Sequence, residues 1–75
     1  MNYIEIDFNK VKGYEKLSEP AKAVFERVYK SHNAAQGLDY KKNWIPQSVK
    51  EHKTYLEVRF KGGEWLHYMP DGTWY

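Results

Sequence analysis

Residues 54–75, TYLEVRFKGGEWLHYMPDGTWY, decide the fold. Leu56, Val58 and Phe60 alternate with Tyr55, Glu57 and Arg59, the period-two pattern of a strand with two different faces. Gly62 and Gly63 can both take the positive φ angles of a two-residue type I′ turn, whose twist matches the flanking strands. With that loop Phe60 faces Trp65, Val58 faces His67 and Leu56 faces Met69, so one face is nearly all apolar. Pro70-Asp71-Gly72 fits a second turn, with proline fixing φ and aspartate bonding its own backbone. It returns Thr73, Trp74 and Tyr75 beside Met69, Tyr68 and His67. The stretch therefore reads as a three-stranded antiparallel meander. Its second face carries Tyr55, Glu57, Arg59, Glu64, Leu66, Tyr68 and Trp74, too aromatic for an ordinary solvated surface and too charged for a core. That face is the first candidate binding surface, with Tyr55, Arg59, Tyr68 and Trp74 as its contact residues.

Upstream of the meander, residues 37–53, GLDYKKNWIPQSVKEHK, show no obvious element, and long connections of this kind are disproportionately functional. Tyr40, Trp44 and Ile45 sit among Lys41, Lys42, Lys50 and Lys53. Two readings stand side by side. In one, Trp44 and Ile45 tuck under the domain to complete a small core, with Trp44 on Tyr68, while the lysines stay solvated. In the other, the segment is a basic, aromatic arm: lysines neutralise phosphates and rings stack on bases, or Tyr40 and Trp44 anchor a protein partner.

Ser18 is suited to cap a helix, Glu19 favours its positive end and Pro20 is tolerated in its first turn. Ala21, Val24, Phe25, Val28, His32 and Ala35 follow at spacings of three and four, which draws one apolar stripe. Gly37 is the expected stop and Glu26 to Lys30 the favourable order for an ion pair. Near the start of the chain Ile4, Ile6 and Phe8 alternate with Glu5 and Asp7, as in a strand with an apolar inner side. The expected fold is α+β in the order β-α-β-β-β, one amphipathic helix covering a mainly antiparallel sheet, with residues 1–75 forming a single domain.

A chain of 75 residues buries only about 60% of its unfolded surface, which leaves little apolar material for a deep catalytic pocket. No cysteine is present, so disulfides and thiolate metal sites are excluded. The start lacks the basic and apolar regions of a signal peptide and no window approaches a membrane span, so the expectation is a soluble protein of a bacterial cytoplasm with no membrane partner. The net charge is +2, concentrated in residues 27–53. His32, His52 and His67 show neither helical i, i+4 spacing nor clustered carboxylates, and no nucleophile motif or phosphate-binding glycine loop occurs. No catalytic residue, metal site or cofactor is expected, and His32 and His67 read as core histidines at the sheet-helix interface.

The stretch LEVRFKGGEWLHYMP resembles the central hairpin of KTSC domains, small α+β modules in which an LxVxF strand, a glycine turn and an aromatic strand ending in proline recur. Over its whole length, in size, aromatic content and the terminal YMPDGTWY, the chain is similar to short uncharacterised proteins of phages and prophages of Gram-positive bacteria. That resemblance implies a small, non-enzymatic factor that binds and modulates, or inhibits, a larger host protein such as a nuclease or defence complex. The alternatives are a nucleic-acid-binding accessory protein using Lys41, Lys42, Lys50 and Lys53, or a homo-oligomeric structural subunit.

Overall fold

The computed structural model describes residues 3–37 and 39–75; Met1, Asn2 and Leu38 lie outside the described residues. Ser18 opens the helix α1, Glu19–Ala35: its backbone is extended and its Oγ accepts a hydrogen bond from the Ala21 amide at 3.3 Å. Pro20 sits in the first turn, where its missing N–H is not needed. The helix ends at Ala35 with Gln36 as the C-cap, one residue before the glycine expected to stop it. The lysine at position 41 satisfies carbonyls that the helix end leaves open. Its ammonium donates to the carbonyls of Asn33 (2.8 Å) and Ala34 (3.4 Å), the orphan acceptors and negative pole of the last turn.

The buried stripe of α1 is Ala21, Phe25, Val28, Tyr29, His32 and Asn33. It is rotated from the expected one: Val24 is half-buried and Ala35 exposed. The rotation follows from what lies on each side. Phe25 faces Tyr68 of the sheet at 6.0 Å between ring centroids. Phe8 meets Phe25 edge-on at 5.6 Å and Tyr29 at 5.8 Å. The Tyr29 hydroxyl donates to the carbonyl of Ile4 at 2.6 Å, and the Asn33 carboxamide oxygen accepts from the Ile4 amide at 2.8 Å. Residues 4–7 thus keep the expected inward alternation, but they lie along the helix and are not a strand of the sheet. Glu26 accepts a hydrogen bond from the Tyr14 hydroxyl at 2.5 Å, in place of the expected pairing with Lys30.

Three strands form an antiparallel sheet in sequence order: β1, Pro46–Glu51; β2, Leu56–Phe60; and β3, Trp65–Tyr68. The α+β class, one helix followed by a meander, is as the sequence indicates. Residues 46–51, read as part of a featureless segment, are a strand. Beside it Lys12 forms a parallel bridge with Ser48, through Lys12 N to Gln47 O (3.1 Å) and Val49 N to Lys12 O (2.9 Å). After β3 the turn at 70–72 brings the chain back as expected, with Trp74 bridging Tyr68 and Tyr75 exchanging two hydrogen bonds with His67.

The β2–β3 register differs from the expected one by a single residue. Leu56 pairs with Tyr68, Glu57 with His67, Val58 with Leu66 and Arg59 with Trp65. The loop has three residues, closed by Gly63 N to Phe60 O (3.0 Å) and Phe60 N to Glu64 O (2.8 Å), and only Gly63 has positive φ, 94°. A one-residue slip exchanges the two faces of a strand. Leu66 and Tyr68 therefore join Leu56, Val58 and Phe60 on the inner face, while Trp65 and His67 turn outward.

Candidate functional site: the outer face of the sheet

Beneath the helix the inner face closes a core of Val49, Leu56, Val58, Phe60 and Tyr68 against Phe25, Val28 and Tyr29. Its polar centre is His32, only 1% exposed, with Nδ1 2.8 Å from the Tyr68 hydroxyl and the rings of Trp44, Phe60, Tyr68 and Trp74 all within 5.7 Å. Burial pushes the imidazole pKa down to about 4, so it is neutral near pH 7, and burial pushes the Tyr68 hydroxyl far above its ordinary range.

Four residues named as binding candidates accordingly lie elsewhere than on an open face, or do other work. Tyr68 is fully buried, because the register turns it inward. Trp74 is half-buried against His32. Trp44, at the end of the 3-10 turn Lys41–Trp44, packs on Phe60 (5.2 Å) and His32, not on Tyr68. Lys41 caps α1. Tyr40 is 62% exposed, apart from the sheet. Lys42, Lys50 and Lys53 remain exposed, but on three different pieces of structure: the 3-10 turn, β1 and the β1–β2 turn. His67, expected in the core, is on the outer face.

On that face Tyr55 and Arg59 do stand, joined by residues that pattern reading left out. His52 stacks on Tyr55 at 4.6 Å between ring centroids, Tyr55 meets His67 at 4.6 Å, and His67 stacks on Tyr75 at 4.7 Å and touches Trp65 at 5.0 Å. The result is one continuous row of rings across three strands' worth of surface. Arg59 lies over Trp65 with its guanidinium 5.9 Å from the ring centroid. Glu57 ties the row together: its carboxylate accepts from His52 Nε2 at 3.2 Å and from Arg59 Nε at 3.0 Å. The hydrogen bond from His52, followed by that from Arg59, holds the Glu57 carboxyl below its usual range. Trp65 is 48% exposed and Tyr75 64%.

The signal for this face was present in the hairpin. Pairing Val58 with Leu66 and Leu56 with Tyr68 makes an inner face as apolar as the one expected, and a three-residue loop needs only one left-handed glycine. Chemically the face offers flat rings, a guanidinium and a neighbouring carboxylate on rigid strands, a set suited to recognition. Among the described residues no group of three or more His, Cys, Asp or Glu is placed to hold a metal ion, and no helix is long and apolar enough to cross a membrane. No protein-family model matches the chain, and no curated protein or solved structure matches it.

Proposed function

We propose that this chain is a small non-enzymatic protein-binding factor that docks on a larger protein through the outer face of its sheet. The observation that carries the reading is the ring row with Arg59 on top: the core closes without Trp65 and Tyr75, yet both large side chains are held in order at the surface. Tryptophan, tyrosine and arginine on a rigid support are the residues that most often dominate binding energy, because they bury large area at small entropic cost. The likeness to short phage and prophage proteins supports placing the partner in a bacterial cytoplasm, a nuclease or defence complex being the target this factor would modulate or inhibit.

Affinity purification from a bacterial host with Trp65→Ala and Arg59→Ala variants tests the reading. Each change is expected to weaken retention of the partner by about 2 kcal/mol, roughly 30-fold, with little change in thermal midpoint. Undiminished retention, or loss of stability equal to the loss of binding, would overturn it. A nucleic-acid partner gives a different signature, since removal of Lys42, Lys50 and Lys53 would flatten a steep salt dependence. We expect anisotropy titrations with single- and double-stranded DNA and RNA near physiological salt to show no salt-sensitive association.

A further inference from the structure

The strand register sets out the outer face as cross-strand rows, because partners in a bridge point to the same side of a sheet. One row runs Lys12, Ser48, Arg59, Trp65, and the next runs Lys50, Glu57, His67, Tyr75. A further row, begun by His52 and Tyr55, adds no lysine, arginine or carboxylate. Glu57 is thus the one carboxylate in these rows, and it keeps its negative charge while shared between His52 and Arg59. Against it stand Arg59, Lys12 and Lys50, and neither lysine forms an ion pair among the described residues. The carboxylates at the borders do not reverse this excess. Glu51 lies on the inner side, paired with Leu56 and bonded to Ser18, and Lys53 follows it in the turn. Glu64 shares the β2–β3 loop with Lys61, and Glu15 is accompanied by Lys10 and Lys16. Asp71 lies beyond β3, on the far side of the sheet from Lys12 and Lys50. The surplus is cationic and concentrated on the β1 side.

The rings add a second selection. His52 and Tyr55 stack with 15° between their planes, and His67 and Tyr75 with 13°. The members of each pair are backbone neighbours across the sheet: His52 N donates to Tyr55 O, and His67 and Tyr75 exchange two hydrogen bonds. Stacking therefore runs along the sheet, and the ring edges point out of it. Each paired ring has a face covered by its neighbour, and Trp65 has a face under the Arg59 guanidinium. Stacking of nucleic-acid bases needs open ring faces, which this pairing restricts. Ring edges carry the positive part of the aromatic quadrupole, so edges and lysines together suit carboxylates. We propose that the outer face receives an acidic patch of the partner protein, with Lys12 and Lys50 as contact residues beside Arg59 and Trp65, an inference that rests on this face being a protein-docking surface.

Capped decaglutamate titrated into the isotope-labelled full chain, followed by amide signals in two-dimensional NMR, provides the test. It should shift the amides of Ser48, Lys50 and His67 and saturate, while capped decalysine should leave them in place. Lys12→Gln combined with Lys50→Gln should weaken decaglutamate binding about tenfold, as expected for two exposed ion pairs in the upper part of their range. Lys30→Gln combined with Lys42→Gln, the same change of charge placed on α1 and the 3-10 turn, should leave binding unchanged, and Lys50→Arg should retain it. If the Lys12 change disturbs its bridge to β1, Lys50→Gln alone decides, with an expected loss of about threefold. Equal effects of the two double changes, or no shift on the face, overturn the proposal. A thymidylate decamer that binds more tightly than decaglutamate assigns the face to nucleic acid and likewise overturns it. Failure with decaglutamate leaves the docking reading standing if Trp65→Ala still loses the partner, whereas retention of the partner by Trp65→Ala overturns that reading whatever decaglutamate does.

Discussion

Protonating His32 would place a cation among four aromatic rings with no carboxylate bonded to it. Its folded pKa of about 4 lies below the ordinary value of 6.5, so the unfolded chain takes up the proton first as pH falls. The stabilisation from keeping it neutral is therefore complete above about pH 6.5 and is lost progressively down to pH 4, an effect of roughly 3 kcal/mol. Urea melts at pH 7 and pH 4.5 should show that loss in the parent and a smaller one in His32→Gln, which can still bond Tyr68 but does not titrate in this range. At the same scale, the two C-terminal aromatic residues divide by role. Trp74→Ala removes a wall of the His32 cage and should cost up to about 3 kcal/mol, whereas Tyr75→Ala should leave the denaturation midpoint close to the parent. Equal effects of the two would mean that the inner and outer assignments at the end of the chain are wrong.

Among the elements, the segment at residues 8–17 is held by one glycine. Gly13 has φ 91°, and a Cβ there would stand 2.2 Å from the Val49 carbonyl oxygen. Gly13→Ala should therefore cost roughly 1–3 kcal/mol in backbone strain before any steric shift, and should loosen the Lys12 bridge to β1. Protection of the Val49 amide in hydrogen exchange, lost in the variant and kept in the parent, is the measurement. Sequence reasoning found α1 because capping and a 3.6-residue stripe are local signals, and found the return of the last strand because proline, aspartate and glycine dictate their turn. It misplaced the β2–β3 register because Gly62 and Gly63 permit two loops, and the choice between them is made by the whole inner face. Pro46–Glu51 escaped notice because only Pro46 and Val49 of this strand are buried, leaving no clear alternation. Ile4, Ile6 and Phe8 carried a real alternation whose partner, the helix, no local pattern specifies. The candidate face inherited the register error: Tyr55, Glu57 and Arg59 of β2 were legible, while their cross-strand companions were exchanged for the residues beside them.

Across the whole molecule the helix and sheet meet through few side chains, so each is costly to lose. Phe25 and Phe60 are 0% and 1% exposed, and Phe25→Ala or Phe60→Ala should each remove about 3 to 5 kcal/mol, most of the stability of so small a domain. Denaturant melts within 1 kcal/mol of the parent would contradict the packing described. The same economy governs how the molecule meets its surroundings. Lys12 occupies the open side of β1, and Thr73 and Tyr75 occupy that of β3. A three-stranded sheet would ordinarily offer two unpaired margins as templates for fibril growth or for capture of a foreign strand. Here the chain's own backbone covers part of both, β1 around Ser48 and β3 at its C-terminal end, so a visiting strand has less main chain left to pair with. Margins protected in this way disfavour edge-to-edge pairing between copies of the chain.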